Sequence, residues 1–177
     1  MDADTTAMYL PSDDTALMIR ALSPYRGGAC LEIGFGSGAV LQSLMPRFSL
    51  VVGTDISGLD QAKVARGSAE AVLSDRAGCF RESSFDTVAF NPPYLPSESI
   101  RDRSVDGGKG GVEVPIGFLE DALRVLRPDG RVLVLLSDQG DLAAFLAHCD
   151  SLGLSAREVD RERLFYESLV VYELRRG

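Results

Sequence analysis

Cys30-Leu31-Glu32-Ile33-Gly34-Phe35-Gly36-Ser37-Gly38 is the stretch that decides the fold. A short apolar run ends in a glycine-rich turn, and an apolar helical segment, Ala39 to Leu44, follows at once. Glycines there let the chain turn tightly and let a ligand approach the main chain and the next helix's N-terminus. Two ligand classes use such a turn. Gly34, Gly36 and Ala39 satisfy the final-alanine variant of the dinucleotide-binding pattern, so the glycines alone do not choose between them. Glu32 tilts the balance. A carboxylate just ahead of the turn repels a pyrophosphate but suits the cationic sulfonium or the amino group of S-adenosylmethionine.

Downstream, more acids fall at the ends of strand-like runs. Leu50-Val51-Val52-Gly53-Thr54-Asp55 ends in a carboxylate placed to take both hydroxyls of a ribose. Ala71-Val72-Leu73-Ser74-Asp75 ends in another, a candidate for the adenine amino group. One strand-terminal Asp is more often a turn or cap residue than a ligand contact. Acids at three successive strand ends are harder to explain that way, because an open α/β sheet turns all of those ends toward one crevice.

The fourth strand end differs. Val88-Ala89-Phe90 runs into Asn91-Pro92-Pro93-Tyr94. The prolines lack N–H groups and keep the chain extended, so Asn91 is presented rigidly with Tyr94 close by. That constellation can hold a planar nitrogen group. The Asn91 amide oxygen and the Pro92 carbonyl each accept one N–H, and the Tyr94 ring covers the plane. A Pro-Pro turn after a buried strand is the plain alternative.

Together these segments resemble a class I S-adenosylmethionine-dependent methyltransferase of the HemK type. More narrowly, the chain is similar to the short archaeal and eukaryotic branch that methylates the glutamine of release factors. Tyr9 to Thr15 resembles that branch's Y-x-P-x-x-D-T opening, Leu31 to Gly38 its cofactor loop and Gly53 to Ile56 its ribose strand. Phe90 to Tyr94 resembles its substrate motif, and Asp106 to Gly111 its glycine-rich loop beside the active site. The resemblance implies a Rossmann-like α/β fold, with a seven-stranded, mostly parallel sheet of order 3-2-1-4-5-7-6 and helices on both faces. It implies cofactor contacts from Thr15, Glu32, Gly34, Gly36, Asp55, Asp75, Arg76 and Asn91. The substrate amide would be held by Asn91, Pro92, Pro93 and Tyr94, with Asn91, Pro92 and Tyr94 doing the catalytic work. It also implies a protein substrate, a release factor, and a small zinc-binding activator docked on the edge strand near Ala71 to Leu73.

Composition sets further bounds. The 177 residues read as a single domain, 1–177, with 45% hydrophobic and 25% charged residues, ordinary for a globular protein. With the cofactor loop beginning near residue 34, the extra N-terminal helical domain that the resemblance implies for bacterial members is not expected here. No run approaches membrane-spanning length, the acidic N-terminus is unlike a signal peptide, and a cytoplasmic location is expected. A formal charge of −8 weighs against direct nucleic-acid binding, which normally uses a basic surface. Lys63 and Lys109 are the only lysines; Arg101-Asp102-Arg103 follows the Asn91 motif as a mixed-charge loop. Cys30, Cys79, Cys149 and the lone His148 lack metal-ligand spacing, so neither metal nor disulfide is expected. Enzymatic alternatives are methylation of a protein lysine or of a base amine such as adenine N6, and a nicotinamide oxidoreductase as an outsider. The non-enzymatic alternative is a cofactor-binding subunit of a translation or RNA-modification complex.

Periodicity places the elements. Ser12 is expected to cap a helix over Asp13 to Leu22. Strands near 29–33, 50–54, 70–74 and 85–90 alternate with helices near 39–45 and 59–67. After a loop over 91–113, a helix over 114–126 carries the stripe Ile116, Leu119, Leu123 and Leu126. Pro128-Asp129-Gly130 is expected to turn into a strand over 131–136. A helix over 140–152 and an antiparallel pair near 155–162 and 166–175 complete the alternation.

Overall fold

The computed structural model describes residues 12–56 and 69–177. The expected helix near 59–67, Lys63 and the Tyr9 to Pro11 part of the opening motif lie outside them. Seven strands form one sheet: β1 Gly27–Ile33, β2 Phe48–Asp55, β3 Ala69–Leu73, β4 Phe85–Phe90, β5 Leu126–Ser137, β6 Leu154–Arg163 and β7 Ser168–Arg176. Their order is β3-β2-β1-β4-β5-β7-β6, the order expected from the sequence. Pairings are parallel from β3 through β5, and β7 runs antiparallel to both of its neighbours. Parallel strands covered on both faces are buried without alternation, as β1 is from Ala29 to Ile33 and β4 from Thr87 to Phe90, with Glu32 and Thr87 as buried polar residues.

Among the described residues four helices cover the sheet: α1 Asp13–Leu22, α2 Ala39–Leu44, α3 Glu113–Val125 and α4 Leu142–Ser151. α1 and α2 pack on one face through Leu17, Met18, Leu41 and Leu44, against Cys30, Val51 and Leu133 of the strands. α3 and α4 pack on the other through Leu119, Val125 and Phe145, against Leu31, Phe90 and Val134. Alternate side chains of each strand thus feed two separate cores.

Several local expectations need correcting. The Ser12 side chain does not cap α1; its hydroxyl is taken by the Asp14 carboxylate and lies 3.0 Å from the Thr15 hydroxyl. The buried face of α3 runs through Pro115, Leu119, Ala122 and Val125, with Ile116 and Leu123 at its margin. Leu126 is no longer helical, because its backbone turns extended (ψ 134°) and opens β5. Pro128-Asp129-Gly130 is a bulge inside β5 rather than a turn before it. The register passes from Phe85 opposite Leu126 to Thr87 opposite Arg131, so Asp86 alone faces residues 127–130. Gly130 permits this, since a Cβ there would sit 2.7 Å from the Leu126 side chain and 3.0 Å from the Asp86 carbonyl. α4 begins at Leu142, not 140, because Asp141 accepts the Ala144 N–H at 2.9 Å and caps the helix itself.

The segment 91–113 is more structured than a loop. Leu95–Pro96 pairs with Asp106–Gly108, and a single 3-10 turn over Lys109–Gly111 leads into α3. A Cβ on Gly107 would lie 2.7 Å from the Tyr94 backbone, and one on Gly111, whose φ is +69°, would press on the Tyr94 carbonyl. The glycines therefore seat this segment directly against the strand-end motif.

Candidate active site

The C-terminal ends of β1 to β4 surround a cleft of about 810 Å³, large enough for a nucleoside-sized ligand. Gly34 and Gly36 form its floor. The Gly34 and Phe35 N–H groups donate to the Thr54 carbonyl at 2.7 and 3.2 Å, which ties the turn to the end of β2. Asp55 Oδ2 accepts the Gly36 N–H at 3.0 Å. Gly36 has φ +48° and nothing within 4 Å of where a Cβ would stand, so the backbone is open to a ligand.

Asp75 and Arg76 line the far wall beyond β3. The Arg76 guanidinium reaches Asp121 at 3.2 Å and Asp75 at 3.6 Å, and lies 6.0 Å from the centre of the Phe118 ring. Phe118 in turn packs on Phe90 at 5.7 Å, giving the cleft a flat aromatic surface from α3. Residues Ile100, Asp102, Arg103, Ser104 and Asp106 close the remaining side. That wall is held by Asp106 Oδ2, which accepts the Arg101 and Asp102 N–H groups at 2.8 Å each.

At the end of β4 the Asn91 side chain is oriented by α1. Its Nδ2 donates to Asp14 Oδ2 at 2.7 Å, while Asp14 Oδ1 accepts the Thr15 N–H at 2.7 Å. An ionised carboxylate only accepts, so this bond assigns the two ends of the amide: nitrogen toward Asp14, oxygen away from it. Asn91 Oδ1 is buried without a hydrogen-bond partner. An orphaned acceptor of that kind costs about 1–3 kcal/mol until a donor reaches it.

The cleft thus brings together Gly34, Gly36, Asp55, Asp75, Arg76, Asn91 and Pro93. Thr15, Glu32, Pro92 and Tyr94 are not among its lining residues. Pro92 is buried, and Tyr94 is half-buried against the core shared with α1. Burial, with the charges of Glu167 and Asp14, pushes the Tyr94 phenol up to about 12. Thr15 stands behind Asn91 beside Asp14. Phe118 and Gly117 carry no local sequence signal, because off the apolar stripe of α3 an aromatic reads as a surface residue. The 102–106 wall contains Asp102 and Arg103 of the mixed-charge loop and Asp106 of the glycine-rich loop, both visible in the sequence. Asp14 was visible as part of the opening motif, but its contact with Asn91 spans 77 residues of sequence.

Glu32 lies fully buried under α2. It accepts a backbone hydrogen bond from Leu41, and Oε2 has no partner. Burial first, and the Asp55 charge second, hold its carboxyl well above the ordinary carboxylate range. The folded chain therefore retains this proton more strongly than the unfolded chain does. Stability from this group is present below the unfolded carboxylate value and is lost as pH rises toward the folded one. The thermal midpoint of the cofactor-free protein should fall as pH rises above the ordinary carboxylate range, and Glu32→Gln should flatten that slope. Equal slopes in both proteins would contradict the assignment.

Among the described residues, no three His, Cys, Asp or Glu side chains group to hold a metal ion, and no helix is long and apolar enough to cross a membrane.

No protein-family model matches the chain. It is 28% identical over 179 residues to a Methanocaldococcus jannaschii protein assigned as a protein N5-glutamine methyltransferase, covering 93% of this chain and 89% of that one. It is 31% identical over 156 residues to the release factor glutamine methyltransferase of Bradyrhizobium diazoefficiens, covering 72% of this chain. This chain spans only 52% of the length of that bacterial relative. Among solved structures it is similar to the E. cuniculi Mtq2–Trm112 complex, which methylates the eRF1 translation termination factor. That match has a TM-score of 0.80 and 25% identity, and covers 96% of this chain and 98% of the solved one. A DhpI structure with bound SAH, at TM-score 0.68 and 16% identity, covers 97% of this chain and 89% of the other; it shares the fold.

Proposed function

We infer that this chain, which belongs to the HemK-type class I S-adenosylmethionine-dependent methyltransferases, methylates the side-chain amide of the glutamine in the Gly-Gly-Gln motif of a translation release factor. The observation that carries the reading is Asn91. It lines the cleft, its Oδ1 is a buried acceptor without a partner, and its orientation is fixed by Asp14. A primary amide supplies the donor that this acceptor lacks.

S-adenosylmethionine, when bound, supplies an electrophilic methyl group on a sulfonium. Gly34 and Gly36, whose backbone lines the cleft, would leave room for it, Asp55 would accept from the ribose hydroxyls, and Asp75 would accept from the adenine amino group beside Phe118. Arg76 is steadied by Asp121 at the edge of that ring. Thr15 and Glu32 act from behind the glycine turn and α1. On the substrate side, Asn91 Oδ1 and the Pro92 carbonyl accept the two protons of the glutamine amide, while Pro93 and Tyr94 keep the motif rigid. An amide nitrogen is a weak nucleophile because its lone pair is delocalised into the carbonyl. The two acceptors orient it and stabilise the positive charge that grows on it in the transition state. S-adenosylmethionine held there would supply the methyl group to this nitrogen and leave as the neutral thioether, and the surplus proton of the amide would pass to water. Positioning supplies most of the acceleration.

The partner in this reading is a small zinc-binding subunit docked along β3. Among the described residues that strand pairs only with β2, and its last residue, Leu73, is 56% exposed. An open apolar edge is a template for another chain. The setting is the cytoplasm, where translation termination takes place.

Labelled methyl transfer to a purified release factor tests the reading, comparing Gly-Gly-Gln with a Gln→Ala form, with and without the β3 partner. Label that requires the glutamine is expected. Label that survives the Gln→Ala change would move the target to lysine, and label found only on RNA or DNA would overturn the protein substrate.

A further inference from the structure

The most exposed large apolar side chains among the described residues are Phe165 and Tyr166, at 90% and 86%. They are neighbours at the tip of the β6–β7 hairpin, with their rings edge to face at 4.6 Å. Two aromatic rings standing in water are unusual for a charged, acidic surface and mark a contact site.

The tip is held firmly from below. Leu164 N–H donates to the Glu167 carbonyl at 2.8 Å and closes the turn, and Ser168 N–H donates to Asp138 Oδ1 at 2.8 Å. Glu167 Oε2 accepts the Ser137 hydroxyl at 2.5 Å, which pins the turn to the C-terminal end of β5. Because β7 is antiparallel, the hairpin tip projects from the same end of the sheet as the cleft. It also adjoins the substrate side of that cleft. Leu164 packs on the core that includes Tyr94, and the Glu167 charge acts on the Tyr94 phenol.

We propose that the Phe165–Tyr166 tip is a docking anchor for the body of the protein substrate, the part of the release factor that stays outside the cleft when its glutamine reaches Asn91. This rests on the substrate assignment above. Three features select a protein occupant. The tip is a convex pair of rings, suited to insertion into a pocket on a macromolecule rather than to enclosing a small ligand. Around the tip, Asp138, Glu158, Glu162 and Glu167 outnumber Arg161 and Arg163, and Arg161 is already paired with Glu158 at 2.7 Å, a balance that disfavours a phosphate backbone. And it is continuous with the motif that receives the glutamine, where a bulky substrate must rest on the rim.

The test replaces Phe165 and Tyr166 together by serine and measures transfer to intact release factor. Anchors of this kind are worth about tenfold or more in affinity, so KM for the release factor should rise at least about tenfold. Turnover at saturation, S-adenosylmethionine affinity and the thermal midpoint should stay as in the wild type. Tyr166→Phe, which keeps the ring, should retain most of the affinity. An unchanged KM in the double variant would overturn the anchor while leaving the reaction intact. Failure of the wild type itself to methylate the release factor would instead sink the substrate assignment, and this occupant with it. A wild-type dimer that the double variant loses, with KM unchanged, would assign the tip to a second copy of this chain.

Discussion

Asn91→Ala is expected to cut turnover by about 10²- to 10³-fold, the loss typical when one pre-oriented hydrogen-bond partner of a transition state is removed. S-adenosylmethionine affinity should change no more than about twofold, because the floor of the cleft is built by Gly34, Gly36 and Asp55, which the substitution leaves in place. The reason is specific to the oxygen. Nδ2 only donates and its bond to Asp14 turns Oδ1 away from that carboxylate, so Oδ1 is the acceptor for a substrate, and alanine offers nothing there. Asp14→Asn checks the same argument from the other side. An amide at position 14 offers a donor as well as an acceptor, and the Asn91 side chain is then free to turn its own NH2 toward the substrate's NH2. A loss of about tenfold in kcat, with cofactor affinity retained, is expected. Equilibrium titration with S-adenosylmethionine beside single-turnover rates separates the two quantities. Parallel collapse of cofactor binding in Asn91→Ala would contradict the role.

What could be read beforehand divides along a physical line. Strand-plus-turn chemistry is local, so Cys30 to Gly38 and Val88 to Tyr94 announced a doubly covered parallel sheet and the two ends of one cleft. The sheet order, including the antiparallel β7, came from the resemblance and matches the pairing. What stayed hidden depends on contacts distant in sequence. The stripe expected on α3 differs from the buried face by one residue at three of its four positions, with Pro115, Ala122 and Val125 in place of Ile116, Leu123 and Leu126, and Leu126 is extended to begin β5. The Asp14–Asn91 bond needs α1 laid beside β4, which no spacing encodes. Phe118 faces the cleft only because Phe90 and Arg76 fix its ring. The bulge opposite Asp86 looks in the sequence like an ordinary Pro-Asp-Gly turn, and the side-chain volume of Leu126 beside Gly130 makes it part of a strand.

Asp55→Ala should do the reverse of Asn91→Ala. In the proposed arrangement Asp55 makes two charge-assisted bonds to the ribose, each worth about 1.5–3 kcal/mol, so cofactor affinity should fall by about 10²- to 10⁴-fold. Turnover at saturating cofactor should remain within a few-fold, because Asn91 and Asp14 stand on other elements. A second effect follows from the position of Asp55. It also contributes to the raised Glu32 carboxyl, after burial, and its removal takes a negative charge away from a buried acid. The Glu32 carboxyl in Asp55→Ala should therefore ionise at lower pH than in the wild type, and the pH-dependent part of the stability should move down with it. Asp55→Asn removes the charge but keeps an acceptor and the shape, so it should share the Glu32 effect while losing less cofactor affinity. Isothermal titration of S-adenosylmethionine and thermal midpoints across the pH range, run on the same three proteins, separate ribose recognition from charge. If Asp55→Asn matched the wild type in the pH profile, the coupling between these two carboxylates would be absent. If Asp55→Ala kept full cofactor affinity, the ribose would have to be held elsewhere in the cleft.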